Sequence, residues 1–121
     1  MQQERRGSRR TKFIDNPRGL FSLAVGSNQH EVMDVIDVSV TGIGLEMGVY
    51  LDPGRMVRVI YRDDDATMYA SGTVIRCENT GQDRYRVGVV FDYPHREESN
   101  RFYVKVRTFL EPGDPRDGRP R

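Results

Sequence analysis

The sequence predicts an all-β protein with a C-terminal helix, its strands closing into a six-stranded antiparallel β-barrel. Two observations carry that expectation. Between Leu20 and Phe91 the chain is a series of short segments rich in Val, Ile and Tyr, separated by Gly, Pro, Asn and Asp turn signals. Beyond Pro94 the apolar spacing changes to that of a helix. Closing so small a sheet on itself also removes its unpaired edges.

Leu20 to Val25 reads as the first strand, and Gly26-Ser27-Asn28 as the turn after it. Glu31 to Val40 reads as a long second strand. Gly42 to Met47 follows a tight corner at Thr41-Gly42, and Asp52-Pro53-Gly54 is a strong turn. Met56 to Tyr61 puts Val57, Val59 and Tyr61 on one face and Arg58 on the other. Asp63-Asp64-Asp65 marks a solvated hairpin end, since a calcium loop would need a Glu and a spacing that are missing. Met68 to Cys77 is the fifth strand and Asn79-Thr80-Gly81 its turn. Tyr85, Val87, Val89 and Phe91 alternate cleanly along the sixth. From Pro94 to Leu110, Phe102, Val106, Phe109 and Leu110 form a helical stripe expected to plug one barrel opening, and Pro112-Gly113 stops the helix. The expected division is an arginine-rich ligand-binding arm over 1–15, the barrel over 16–93, the helix over 94–111 and a disordered tail over 112–121.

Composition bounds the function. Nineteen Lys and Arg against 18 Asp and Glu leave a net charge of +1, unlike a globally basic nucleic-acid binder. The single cysteine, Cys77, excludes an internal disulfide, and His30 and His95 are too far apart in sequence to suggest a metal site. No apolar run approaches the roughly 20 residues of a membrane span. The opening MQQERRGSRR has no apolar core of a secretory signal, so a cytoplasmic protein is expected. No nucleophile–base pair is visible, and no enzyme activity or cofactor is expected. The six tyrosines (50, 61, 69, 85, 93 and 103) are expected with rings on the core and hydroxyls outward.

Two constellations can carry chemistry. In Arg5-Arg6-Gly7-Ser8-Arg9-Arg10, guanidinium forks match phosphate oxygens and the O6/N7 edge of guanine, and their flat faces stack on bases. Alone, such an arm is also what a solvated leader looks like. In Asp37-Val38-Ser39-Val40-Thr41-Gly42, Asp37 and Ser39 share a strand face and offer a carboxylate and a hydroxyl to a purine edge, while Gly42 permits close backbone approach. Alone, this is also a polar strand end before a turn.

Taken together, an RxxxR stretch before the first strand and a DxSxxG strand end resemble the PilZ domain, a family of bacterial receptors for cyclic di-GMP. Thr41-Gly42-Ile43-Gly44-Leu45 and Tyr85-Arg86-Val87-Gly88-Val89-Val90-Phe91 also look like the family's, and the resemblance spans about residues 4–110. The arginine pair is either Arg6 and Arg10 or Arg5 and Arg9. The resemblance implies that the arginines clamp phosphate and a guanine Hoogsteen edge, that Asp37 and Ser39 fix the other side of a guanine, and that Gly42 allows close approach. It also implies that Arg5, if it precedes the pair, goes with two stacked ligand molecules. The expected partners are cyclic di-GMP and an unidentified downstream protein, with no membrane insertion and no DNA or RNA, in a monomer or weak homodimer. The alternative is an interaction adaptor of the same fold, related to type IV pili or motility, that binds no nucleotide.

Overall fold

The computed structural model describes residues 11–12, 19–92 and 96–107. Seven strands and one helix follow in order: β1 Thr11–Lys12, β2 Phe21–Val25, β3 Asn28–Ser39, β4 Gly42–Met47, β5 Met56–Arg62, β6 Thr67–Gly81, β7 Arg84–Phe91 and α1 Arg96–Val106. Six strands close into an antiparallel barrel in the cyclic order β3-β2-β5-β6-β7-β4, with β4 returning to β3. The strand β1 has no counterpart in the sequence reading, because two residues are too few to show an alternation. It lies on the edge of β3 that β2 leaves open, with Thr11 opposite Val38 and Lys12 opposite Asp37.

Alternation builds the core. Phe21, Leu23 and Val25 point inward from β2, Ile43, Leu45 and Met47 from β4, and Val87, Val89 and Phe91 from β7. The long strand β3 breaks the rule. Val32, Val35 and Val38 are all buried, although they are three residues apart. A strand of period two cannot do this. Register shifts against β4 between Val32 and Asp34, and again between Val35 and Asp37, supply the extra residues. A regular strand running on from Val35 would turn Asp37 and Ser39 into the core. The second bulge turns Val38 inward instead and leaves Asp37 and Ser39 on the outer phase.

Two turns differ from the sequence reading. Asn79-Thr80-Gly81 belongs to β6, and the chain reverses at Gln82-Asp83, where Asp83 takes the left-handed conformation at φ 56°. Aspartate tolerates that region better than most residues, and a further register shift between Asn79 and Gly81 absorbs the offset. The other corner falls at Val40-Thr41, with Gly42 already in β4. His30 lies on β3 opposite Leu23 and is half-buried.

The helix carries acidic Glu97 and Glu98 in its first turn and Lys105 in its last, matching its dipole. Its buried face is Ser99, Phe102 and Val106. Phe102 packs edge-on against Phe21 and Phe91, at 6.3 and 6.0 Å between ring centroids, and so joins the barrel core as expected of a plug. Phe109, Leu110, His95 and Tyr93 lie outside the described residues. No described helix is long and apolar enough to cross a membrane.

The β5–β6 hairpin is tied to this helix. Asp63 Oδ1 accepts the backbone N–H groups of Asp65 and Ala66, both at 2.8 Å, so the acidic run is a side-chain-capped turn. Its Oδ2 accepts the Tyr61 hydroxyl and lies 3.5 Å from Lys105 Nζ. The Tyr61 bond, helped by the Asp65 amide, holds the Asp63 carboxyl at about 2, while burial and that same bond push Tyr61 up to about 12. Asp63 is depressed in the folded state, so its stabilisation is present above about pH 4 and fades as pH falls towards 2. Tyr61→Phe is therefore expected to lower the melting temperature at pH 7, with the deficit shrinking between pH 4 and pH 2. A deficit constant across that window would separate the hydroxyl from the Asp63 titration. The tyrosines do not behave alike. Tyr61 is buried with its hydroxyl on Asp63, and Tyr85 and Tyr103 are half-buried on the core. Tyr69 stands on the outer phase of β6 beneath Arg58, and Tyr50 lies in the loop after β4, so both are exposed rather than core-facing.

Candidate functional site

The outward phase of β3 beside β1 and β4 gathers the second constellation. Asp37 lies between Lys12 of β1 and Gly44 of β4. Its carboxylate leans over Gly44, where a Cβ would come within 2.8 Å of Oδ1. Gly44 therefore leaves the space that this carboxylate occupies.

Ser39 is placed differently from a free ligand donor. It is buried, its Oγ lies 3.0 Å from Thr41 Oγ1, and it accepts the Thr41 backbone N–H at 3.2 Å. These bonds tie the Val40-Thr41 corner, which contains no residue of positive φ. Gly42 also has a structural task. It pairs with Val90 of β7, and a Cβ there would collide with the Val89 carbonyl oxygen. The closeness permitted at Gly42 is thus already used by the neighbouring strand. Arg5, Arg6, Arg9 and Arg10 lie outside the described residues.

The structure adds residues that the sequence reading passed over. Gly44 faces Gly88 of β7, and Gly88 faces Arg76 of β6. One row across the outer wall therefore runs Lys12, Asp37, Gly44, Gly88, Arg76. Its centre has no side chains. The available signal was that Gly44 and Gly88 both fall on the polar phase of otherwise apolar alternations, but pairing them required the register. Above this row, Glu46 accepts an ion-paired hydrogen bond from Arg84 at 2.8 Å. Cys77 is half-buried, and its Sγ lies 3.4 Å from the Leu51 backbone nitrogen, a packing role. Among the described residues no group of three or more His, Cys, Asp or Glu could hold a metal ion.

A bent strand thus presents an acid on the barrel wall, with a glycine floor beside it. Comparison with solved structures finds the same architecture. The PilZ domain of YcgR from Escherichia coli, with c-di-GMP, superposes with a TM-score of 0.61 at 12% identity, over 87% of this chain and 93% of that one. MrkH of K. pneumonia in its c-di-GMP complex gives 0.62 at 12% identity, over 87% of this chain and 52% of that one. The Bacillus subtilis inhibitor of motility, MotI/DgrA, gives 0.54 at 12% identity, also over 87% and 52%. The chain thus spans about half the length of the last two. At such identity the likeness speaks for the fold. A search of curated proteins finds no match. The sequence itself matches the PilZ domain across residues 3–110, from the arginine-rich leader to the end of the helical stripe, and the chain belongs to the PilZ domain family.

Proposed function

We propose that this protein is a non-enzymatic receptor for cyclic di-GMP. The single observation that carries the reading is the pairing of Lys12 with Asp37. Arg10 precedes Thr11 by one peptide bond, which limits their Cα separation to about 3.8 Å. The arginine-rich leader is thereby tethered beside the DxSxxG strand end. An anchor on the far side of the barrel would have made joint action impossible. The YcgR PilZ domain with c-di-GMP and the MrkH complex with c-di-GMP support the same ligand.

In this reading Arg6 and Arg10 clamp phosphate and a guanine Hoogsteen edge, while Asp37 accepts from the Watson–Crick edge of a guanine. Ser39 acts through the corner it ties, and Gly42 keeps β4 close to β7. With Arg5 ahead of the pair, two stacked ligand molecules interleave with arginine planes. Ordering the arm over the ligand costs conformational entropy. Charge-assisted bonds of about 1.5–3 kcal/mol each offset it. The ordered arm then changes the surface offered to a downstream protein.

Calorimetric titration with cyclic di-GMP, GTP and a short oligonucleotide tests the proposal. Saturable binding of the cyclic dinucleotide alone, at two per chain, is expected. One per chain would remove the stacked pair and leave the receptor. No binding of any of the three would instead favour the interaction adaptor.

A further inference from the structure

We propose that Arg76 is a guanine-specificity residue of this site, reading the base edge opposite to the one that Asp37 reads. The inference rests on the receptor reading above and extends it to a strand outside both motifs.

The cross-strand row sets the geometry. Asp37 and Arg76 are separated by the two facing glycines, Gly44 and Gly88. Three strand spacings put their Cα atoms about 14 Å apart. Both side chains lean inward over that floor. Asp37 Oδ1 occupies the Cβ space of Gly44, and Arg76 Nε lies 3.9 Å from where a Gly88 Cβ would stand. Arg76 is exposed and has no ion pair or ring partner among the described residues. An arginine held beside a glycine floor and satisfied by no acid is available to a ligand. Ile75, displaced at the β6 bulge and 55% exposed, borders the same floor with its Cγ1 3.6 Å from the Gly88 Cβ position. It offers an apolar rim to the face of a ring.

A flat heterocycle with donors on one edge and acceptors on the other suits this arrangement. Guanine offers N1–H and the N2 amine to a carboxylate, and O6 and N7 to a guanidinium fork. Adenine reverses the match, placing an amine against Arg76 and the N1 lone pair against Asp37. The arm arginines remain for the phosphates and the second guanine.

The test is titration of the full chain, Arg76→Ala, Arg76→Lys and Gly88→Val with cyclic di-GMP and its 7-deaza analogue, which lacks the N7 acceptor. Arg76→Ala is expected to weaken cyclic di-GMP by about tenfold to a hundredfold, the range of one bidentate base contact. It should also reduce the parent's preference for the natural base over the 7-deaza base, the remainder being that of the second guanine. Arg76→Lys should restore only part of the affinity, because an ammonium cannot fork. At Gly88 an added Cβ meets only ordinary contacts. Gly88→Val should therefore keep the parent's melting temperature and lose binding as its side chain fills the floor. If the parent binds and both Arg76→Ala and Gly88→Val match it, the inference falls and the receptor reading stands. An Arg76→Ala variant that is weakened but keeps the parent's full preference for N7 also overturns it. A parent that binds no cyclic di-GMP overturns both.

Discussion

Replacing Arg6 or Arg10 by alanine is expected to abolish cyclic di-GMP binding without lowering the melting temperature. In the proposed site each guanidinium fork would make two charge-assisted bonds, whose loss removes about 3 kcal/mol at least, a factor above about 100 in affinity. Both residues precede β1 in the chain. Asp37→Ala should weaken binding strongly, also with the fold intact, because the carboxylate stands on the outer wall. Ser39→Ala should weaken binding and in addition cost about 1 kcal/mol of stability, since a buried hydroxyl bond to the Thr41 amide is lost. Calorimetry and thermal melting on the same samples separate these effects. If the four variants bind like the parent, the ligand sits elsewhere. Larger losses for Arg5→Ala and Arg9→Ala would move the pair by one residue.

Phe102→Ala is expected to be the most destabilising single truncation in the helix, at about 3–5 kcal/mol. The ring is fully buried and touches both Phe21 and Phe91, from opposite parts of the barrel. At about 4 °C per kcal/mol for a domain of this size, melting should drop by about 12–20 °C. Val104→Ala, on the exposed face of the same helix, should stay within about 0.5 kcal/mol. Equal melting of the two variants would mean that α1 does not cap the core.

The barrel was legible because its strands are half-buried. In β5 the face read from the sequence, Val57, Val59 and Tyr61, is buried, and in β7 so are Val87, Val89 and Phe91, with Tyr85 half-buried at the end of its row. The helix was legible from Phe102 and Val106, which keep helical spacing. What the sequence hides is register. Asn79 to Gly81 look like turn formers, yet Asp83 makes the turn, because pairing with β7 extends β6 beyond its apolar stretch. Asp37 and Ser39 were recognisable as a motif, but their difference in accessibility was not. It depends on the Thr41 contacts across a corner. Arg76 was invisible as a neighbour of Asp37, since nothing in the chain says that β6 and β3 are joined through two facing glycines. The strand β1 escaped for a simpler reason. Its pairing is with backbone, which any residue except proline can make.

The second bulge of β3 makes the site a matter of parity. Val35 and Val38 both point inward, so an odd step separates two residues that a regular ribbon would place on opposite sides. Exchanging Ile36 for another side chain leaves the count unchanged. Straightening the strand at unchanged length would swing the acid of Asp37 through half a revolution into an apolar interior, where an unpaired charge is costly. The offset, more than the lettering, is what this stretch of the barrel has to preserve.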